Sequence, residues 1–330
     1  MANEVQTGIR AKLLEAFSKA DGEFISGQKI SDYIGCSRTA VWKHMEELRK
    51  EGYELEAVRR LGYRITKKPD KISSNEIQLG LKTTMMGRHI HFEEIVSSTQ
   101  KIARNLANEG VEEGTIVVAD QQTNGKGRMA RVWYSPKGTG IWMSMIIRPN
   151  LPINQTPQLT LLTAVAIVQA IEELTPLKPE IKWPNDIMLN GKKLVGILTE
   201  LQAEADQVHS VIIGTGINVN QKVADFPEDL QKIATSICIE TGTVWERAQF
   251  IQMILLKFEG LYSLFLSQGF KPIKLLWESY AISLNKKIIA RTLNGTVEGK
   301  AIGIDDDGVL LIETNNRVIE RIYSADIDFQ

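Results

Sequence analysis

Residues 125–133 read Gly-Lys-Gly-Arg-Met-Ala-Arg-Val-Trp, and they lie between two strand-like apolar runs, 115–119 and 141–147. These nine residues contain two glycines, three cationic side chains and one indole. A loop of this composition lets the backbone approach a ligand, offers cations to anionic oxygens and provides a ring that can stack on a base. A basic surface loop that binds nothing has the same composition, so these residues alone favour neither interpretation.

The loop is not a phosphate loop of the nucleoside-triphosphatase type. That motif places a glycine five residues before the Gly-Lys pair and a Ser or Thr directly after it. Here Asp120 occupies the first of these positions, and Gly127 follows Lys126. Any phosphate recognition by this loop therefore follows a different pattern.

Length and charge limit the classes of protein to consider. The chain has 330 residues, of which 43% are hydrophobic, and this length predicts two or three domains. The 39 basic and 40 acidic residues give a net charge of -1. The chain as a whole therefore lacks the basic excess of a nucleic-acid-binding protein, and any contact with DNA must come from local clustering.

The cysteines and the apolar runs indicate the cellular compartment in which the protein is expected. Cys36 and Cys238 are far apart and lack the spacing of a metal site, which is typical of ordinary thiols in a reducing compartment. No apolar run approaches the roughly 18 residues of a membrane span. Residues 1–10 lack the apolar core of a signal peptide. We therefore expect a cytoplasmic protein that does not associate with a membrane.

Residues 1–70 predict a winged helix-turn-helix domain. Ser26 and Ser37 are expected N-caps, and Val41, Met45 and Leu48 form an apolar stripe at helical spacing. The expected elements are three helices followed by two strands, over 9–17, 28–34, 38–50, 53–57 and 63–66. Helix, short helix, turn, capped helix and β-hairpin in this order are typical of that fold.

Local charge supports DNA binding by this domain. Between Ser37 and Lys68 there are nine Lys or Arg residues against five Glu. Polar donors at the start of the third helix can contact base edges in a major groove, and the hairpin arginines can contact phosphate or the minor groove. The candidate DNA-binding residues are Ser37, Arg38, Thr39, Trp42, Lys43, His44, Arg59 and Arg60. A small helical domain that binds protein is the alternative, but it would not need these donors.

The rest of the chain predicts two further domains. Residues 71–280 mix strands with expected helices over 99–108, 158–174 and 245–266. The lack of regular β-α-β spacing indicates an α+β domain with a mixed or largely antiparallel sheet. Residues 281–330 contain short strands over 287–291, 296–304, 309–313 and 318–323, separated by strong turn signals such as Asn294-Gly295. This pattern predicts a small SH3-like β-barrel.

Two motifs in the middle domain have both a structural and a functional interpretation. Residues 97–100, Ser-Ser-Thr-Gln, precede a predicted helix, so their hydroxyls could cap it or bind the polar head of a ligand there. Residues 182–186, Lys-Trp-Pro-Asn-Asp, form a proline-directed turn. An Asn-Asp pair beside a lysine could also organise a metal–triphosphate.

Two more motifs follow. Residues 190–194 form a hairpin turn by composition, and Lys193, the first residue of the next strand, could hold a carboxylate or a phosphate. Residues 214–218, Gly-Thr-Gly-Ile-Asn, follow an apolar run. Two glycines in a strand usually indicate a bulge, but they also permit close approach to a ligand, with Asn218 available to an adenine edge.

Covalent catalysis and protein-held metals have little support. The chain shows neither Ser-His-Asp nor Cys-His spacing, and its four histidines have no metal-binding pattern. Chemistry that depends on positioned cations fits best, with no metal site formed by the protein itself.

Together these motifs resemble the biotin protein ligase family. They occur in order over residues 98–100, 122–133, 182–186, 193 and 214–218, and the resemblance covers nearly the whole chain. With the winged helix-turn-helix it extends to the bifunctional form, which is both a ligase and the repressor of the biotin operon.

The resemblance implies a two-step reaction and a regulatory role. Biotin and ATP, with Mg²⁺, would give biotinyl-5'-adenylate and pyrophosphate. The adenylate would then acylate a lysine of biotin carboxyl carrier protein. Biotin would also act as corepressor in its adenylated form, because the adenylate-bound homodimer would bind operator DNA.

The resemblance also implies roles for individual residues. Arg128 and Lys193 would be catalytic, and Arg131, Trp133 and Asn218 would bind ATP or the adenylate. The implied biotin-binding residues are Ser98, Thr99, Gln100, Gln122, Lys126, Gly127, Arg128 and Lys193.

The chain departs from the family pattern at two positions. Lys126 stands where the family usually has the first arginine of Gly-Arg-Gly-Arg, and Ala130 replaces a common glycine. Lysine keeps the charge but loses the bidentate fork, which predicts weaker retention of the adenylate. The alternatives are a biotin-sensing repressor without catalysis, a lipoate or octanoate ligase, and a transcription factor with another effector.

Overall fold

The computed structural model describes residues 2–20, 22–204 and 207–329. Contacts divide the chain into two compact units, Met1–Leu81 and Lys82–Gln330.

The first unit has the expected winged helix-turn-helix. Its elements are α1 (Ala2–Lys19), α2 (Gly27–Ile34), α3 (Arg38–Lys50), β1 (Glu54–Val58), β2 (Gly62–Lys67) and α4 (Ser74–Leu79). Both predicted caps are confirmed, because Ser26 Oγ accepts from the Lys29 amide and Ser37 Oγ from the Ala40 amide, each at 3.2 Å. The stripe of Val41, Met45 and Leu48 is buried in the core of this unit.

Helix α4 packs with the first unit. Glu76 forms an ion pair with Arg10 of α1 at 2.8 Å, and it accepts a hydrogen bond from the Tyr53 hydroxyl at 2.9 Å. Ser18 Oγ donates to the Leu79 carbonyl at 2.9 Å. These bonds connect α4 to α1 and to the start of the hairpin.

A mixed seven-stranded sheet forms the centre of the second unit, which confirms the predicted sheet class. Its strands are β3 (Ile90–Val96), β4 (Ile116–Gln122), β5 (Gly140–Ile147), β6 (Glu180–Lys182), β7 (Asp186–Leu189), β8 (Lys192–Glu204) and β9 (Gln207–Asn218). The order is β3-β4-β5-β9-β8-β7-β6, and β3 is parallel to β4 while the other pairs are antiparallel. Every residue of β5 is buried, so both faces of the sheet are covered there.

Helices cover this sheet. They are α5 (Thr99–Asn108), α6 (Thr156–Leu174), α7 (Ile237–Thr241), α8 (Arg247–Gln268) and α9 (Lys271–Tyr280). Helix α5 packs on β4, β5 and β9, and the largely buried α6 packs on β8, α8 and α9. Three of these helices were predicted. The short α7 and the amphipathic α9, in which only Ile273 and Trp277 are buried, were not.

Helix α8 is long and apolar enough to cross a membrane by length and composition alone. In the structure its apolar residues Phe250, Ile254 and Phe258 are buried, and the helix packs along α6. Helix α8 therefore contributes apolar side chains to the core of the second unit.

The last five strands form an antiparallel β domain, as expected. They are β10 (Lys287–Thr292), β11 (Gly295–Ile304), β12 (Leu310–Thr314), β13 (Ile319–Ile322) and β14 (Asp326–Phe329), in the order β13-β12-β11-β10-β14. Strand β14 was not predicted. This domain packs on the central one, since Trp183 Nε1 donates to the Gly308 carbonyl at 3.2 Å and Gln158 Nε2 to the Asp306 carbonyl at 2.8 Å.

Glu259 on α8 stabilises the segment that opens the second unit. Its carboxylate accepts from the amides of Thr84, Met85 and Met86 at 2.7–2.9 Å. Burial alone raises the pKa of Glu259, but these backbone hydrogen bonds outweigh it and hold the pKa below its ordinary value of 4.5. The stabilisation is therefore present above that value and is lost as the pH falls through the lowered pKa.

We expect Glu259→Gln to lower the free energy of unfolding by about 1–3 kcal/mol at neutral pH, because an ionised acceptor is lost. The difference from the wild type should shrink below pH ~4.5 as the wild-type carboxylate is protonated. Urea unfolding at neutral pH and below pH ~4.5 measures this difference in the free energy of unfolding. Glu173→Gln, which breaks an exposed pair with Lys257, is the control and should change stability by less than about 0.5 kcal/mol. Equal losses in the two variants would contradict this account.

Candidate active site

A cavity of about 440 Å³ lies over the middle strands of the sheet. It brings together every substrate-binding residue expected from the sequence: Ser98, Thr99, Gln100, Gln122, Lys126, Gly127, Arg128, Arg131, Trp133, Lys193 and Asn218. Residues from positions 98 to 218 thus converge on one space, large enough for a small organic ligand.

A polar network forms one wall of the cavity. The Thr99 and Ser144 hydroxyls lie 2.8 Å apart, and Ser144 Oγ donates to Gln100 Oε1 at 2.9 Å. Gln100 Nε2 donates to the Ile212 carbonyl at 3.1 Å. Because these side chains are buried and mutually bonded, they present fixed donors and acceptors to a polar ligand head. Ser144 was missed from the sequence, although a serine within the apolar run 140–147 is a signal.

The start of α5 is capped differently from the expectation. Ser98 occupies the N-cap position, but its side chain makes no capping hydrogen bond within the part of the chain that the structure describes. Gln122 of β4 takes that role, since its Oε1 accepts from the Thr99 amide at 2.9 Å. The capping interpretation of the Ser97–Ser98 hydroxyls is therefore wrong for Ser98, which faces the cavity.

The glycines of β9 make room for side chains and do not form a bulge. The ladders of β9 with β5 and β8 continue in register through Gly214 and Gly216. A Cβ on Gly216 would overlap Nε1 of Trp133, and one on Gly214 would lie 2.6 Å from Gln100 Oε1. A Cβ on Gly196 of β8 would likewise lie 2.8 Å from the indole. The Trp133 ring therefore lies directly on the backbone of β8 and β9.

The indole of Trp133 also contacts the cation of Lys193, whose Nζ lies 5.4 Å from the ring centroid. Among the described residues, the buried Nε1 of Trp133 has no hydrogen-bond partner. A flat ring beside a cation at the cavity suits a planar heterocyclic ligand.

Arg128 is anchored from two sides. Its Nη1 donates to Asn185 Oδ1 at 2.9 Å, and its Nη2 donates to Ser324 Oγ at 2.7 Å. Asn185 is itself fixed by donating to the Ile197 carbonyl at 2.8 Å. Burial lowers the pKa of the Arg128 guanidinium, but an arginine remains charged. The structure therefore holds a fixed, partly desolvated cation at the cavity.

Lys193 is fixed at both its side chain and its backbone. Its Nζ lies 2.7 Å from Asp186 Oδ1. Its amide donates to the Ile233 carbonyl at 2.8 Å, and its carbonyl accepts from the Thr235 amide at 3.0 Å. Lys193 lies at the start of β8, as predicted, and these backbone bonds direct its side chain into the cavity.

Asn218 and Ala130 are each constrained by the structure. Asn218 is 4% exposed, and its Oδ1 accepts from Gln221 Nε2 at 3.0 Å, so it is not fully free to contact a base. Ala130 has a φ of 57°, in the left-handed region that favours glycine. The glycine that the family commonly has at this position would relieve that strain.

Two carboxylates at the cavity are paired with cations. Asp186 pairs with Lys193, and Asp326 pairs with Arg131. Within the described residues there is no group of three or more His, Cys, Asp or Glu side chains that could hold a metal. A cation here would depend on ligands that a phosphate substrate supplies.

Comparison with known proteins matches all three parts of the chain. The Biotin/lipoate A/B protein ligase family matches residues 92–218, an HTH domain matches 10–64, and the Biotin protein ligase C terminal domain matches 283–330. The Bifunctional ligase/repressor BirA of Bacillus subtilis is 61% identical over 324 residues, covering 98% of this chain and 99% of that protein. The chain belongs to the biotin protein ligase family.

More distant members of the family agree with this assignment. The Bifunctional ligase/repressor BirA of Escherichia coli is 28% identical, covering 89% of each chain. The biotin protein ligase from Aquifex aeolicus, solved in complex with biotin and ATP, has a TM-score of 0.64 and 31% identity. It covers 74% of this chain and 99% of that chain.

The first unit of this biotin protein ligase has a separate groove of about 660 Å³ between α3 and the hairpin. Five of the expected DNA-binding residues line it: Arg38, Thr39, Trp42, Arg59 and Arg60. Lys43 is exposed nearby on α3. Ser37 is engaged as the cap, and His44 Nδ1 lies 2.8 Å from Glu47 Oε2, so these two have structural partners.

Proposed function

We propose that this ligase activates biotin with ATP to form biotinyl-5'-adenylate and transfers the biotinyl group to a lysine of a biotin carboxyl carrier protein. It also represses transcription by binding operator DNA as an adenylate-bound homodimer in the cytoplasm. The convergence of Arg128, Lys193 and a buried polar network on one cavity supports the ligase reaction most directly.

The polar network suits the ureido ring of biotin. That ring offers one carbonyl acceptor and two N–H donors, and it must be held at a fixed angle for its carboxylate to reach a phosphate. Ser98, Thr99 and Gln122 provide hydroxyl and amide groups on one side of the cavity. Gln100 contributes through its contact with Ser144 and orients these groups.

The first step brings together two anions, the carboxylate of biotin and the triphosphate of ATP, so it depends on cations in the cavity. A carboxylate oxygen of biotin attacks the α-phosphorus of ATP, a P–O bond to pyrophosphate breaks, and negative charge accumulates on the phosphoryl oxygens. Arg128 and Lys193 offset the repulsion of the reactants and stabilise that charge. Both side chains are fixed before the ligand binds, so little reorganisation is needed.

The adenine and the second step involve other parts of the cavity. Trp133 offers a ring face, and Asn218 and Arg131 line the same cavity. The carrier lysine, as a free amine, attacks the acyl carbon of the mixed anhydride, and AMP leaves with the electrons of the C–O bond. Lys126 and Gly127 belong to the loop that covers the anhydride, and exclusion of water protects it from hydrolysis.

Labelled ATP tests the first step. Incubation with biotin and [α-³²P]ATP should give a labelled adenylate, while [γ-³²P]ATP should give labelled pyrophosphate only. No labelled adenylate from [α-³²P]ATP and no labelled pyrophosphate from [γ-³²P]ATP, with biotin still bound, would contradict the proposal and indicate a sensing repressor without catalysis.

Lys126→Arg should slow dissociation of the adenylate, because arginine adds a bidentate donor set toward phosphate or carboxylate. We expect about a threefold to tenfold slower release in a chase with unlabelled adenylate, which corresponds to one added hydrogen bond of ordinary net strength, about 1 kcal/mol. Lys126→Gln, which removes the charge, is the matched comparison and should release it faster. An unchanged rate in Lys126→Arg would contradict this role for Lys126.

Substitutions on the hairpin and on α3 should affect DNA binding in different ways. Arg60→Ala at the hairpin should weaken operator binding about equally for all sequences and reduce the salt slope by about one, as expected for a phosphate contact. Thr39→Ala on α3 should weaken discrimination between operator and unrelated DNA. Lys71→Ala, which breaks a pair with Glu51, is the control. Unchanged binding in both test variants, measured by fluorescence anisotropy, would contradict the DNA-binding proposal for these positions.

A further inference from the structure

The C-terminal domain forms part of the cavity wall. Residues 325–328 line the cavity together with the loop 126–134. Ser324 accepts a hydrogen bond from Arg128, and Asp326 forms an ion pair with Arg131. Two arginines three residues apart in one loop are thus held by two residues at the start of β14.

The backbone hydrogen bonds of the loop join loop residues to each other. Among the described residues, the Gly127 amide donates to the Arg131 carbonyl at 2.8 Å, the Arg131 amide to the Arg128 carbonyl at 3.2 Å and the Trp133 amide to the Gly125 carbonyl at 2.9 Å. Met129 and Ala130 both have positive φ, and Met129 is 65% exposed. These internal bonds fix the turn itself but do not connect it to the sheet, and exposed segments with few contacts to the rest of the fold open at low cost in free energy. The position of this loop therefore depends on the anchors at its arginines and on Trp133.

Charge favours the pair between Arg131 and Asp326. The guanidinium of Arg131 holds the pKa of Asp326 below its usual range, and Arg128 and Lys182 act in the same direction. The carboxylate therefore stays ionised at neutral pH, and it faces three cations.

We propose that Asp326 is a positioning residue that holds Arg131, and with it the loop 126–132, closed over the cavity. The C-terminal domain thereby acts as a latch that retains the adenylate and keeps water from it. Asp326 acts through Arg131 and does not itself contact the reacting atoms. This inference rests on the adenylate-forming function proposed above.

The test is the release of adenylate formed by the full-length protein. Asp326→Ala and Arg131→Ala should each raise the rate of release, and Asp326→Ala should do so by about fivefold, the scale of one partly exposed ion pair. In an Arg131→Ala background, Asp326→Ala should have no further effect. Asp326→Glu, which keeps the charge, should restore most of the retention.

Asp307→Asn is the control, because Asp307 lies in the same domain and pairs with Arg321 at 3.1 Å. It should release adenylate at the wild-type rate. Additive effects of Asp326→Ala and Arg131→Ala on the rate of adenylate release would contradict this role of Asp326. Release at the wild-type rate in Asp326→Ala would also contradict it. Formation of adenylate by the wild-type protein in the same assay separates failure of the latch from failure of the proposed function.

Discussion

Replacing Arg128 by alanine should lower the rate of adenylate formation by about two to three orders of magnitude. That is the usual effect of removing a fixed donor that stabilises transition-state charge. Arg128 is oriented by Asn185 and Ser324 before any ligand binds, so its loss removes a cation whose position is already determined. Water admitted to the space would solvate the charge less well than a fixed guanidinium.

Single-turnover formation of biotinyl-adenylate measures the effect of Arg128→Ala. Lys137→Ala removes a cation from the nearby surface, where it pairs with Glu94 at 3.4 Å, and should leave the rate unchanged. Arg128→Lys should recover only part of the loss, since lysine cannot contact both Asn185 and Ser324 as a planar fork. A rate within threefold of wild type in Arg128→Ala would exclude Arg128 as a catalytic residue.

A single methyl group on Gly216 should lower the first-step rate by about a hundredfold. The added Cβ would overlap Nε1 of Trp133, and the backbone of β9, paired on both sides, cannot move away. The indole must leave its place on the sheet, and a displacement of about 1 Å near reacting groups costs rates of this order. The apparent KM for ATP should rise more than that for biotin, because the indole is proposed to contact the adenine.

Gly260→Ala is the matched control for Gly216→Ala. Gly260 lies within α8, and a Cβ there would meet no atom within 4 Å. This change should leave the rate unaltered and could add up to about 1 kcal/mol of stability through helix propensity. Intrinsic fluorescence of Trp133 should shift in Gly216→Ala alone. Wild-type kinetics for Gly216→Ala would contradict the placement of the indole.

Local signals in the sequence predicted the first unit well. The caps at Ser26 and Ser37 and the stripe of α3 depend on residues three to seven positions apart, so the chain itself carries the information. The turn at Asn190-Gly191 is similar, since both residues adopt the positive φ that their types favour.

Long-range contacts explain what the sequence did not predict. The capping of α5 by Gln122 joins residues 23 positions apart, and the bonds to Ser324 and Asp326 span nearly 200 positions. Gly214 and Gly216 were interpreted as a possible bulge because their neighbours across the sheet were unknown. The residues predicted from the family motifs line one cavity, whereas Ser144 and Ser324 lie outside those motifs and were missed.

Transfer of labelled biotin to an apo biotin carboxyl carrier domain, with and without ATP, tests the central claim most directly. The account predicts labelling of the carrier lysine that requires ATP, is slowed by about two to three orders of magnitude in Arg128→Ala and persists at the wild-type rate in Lys137→Ala. Labelling without ATP, or none with ATP although biotin binds, would contradict a ligase active site at this cavity.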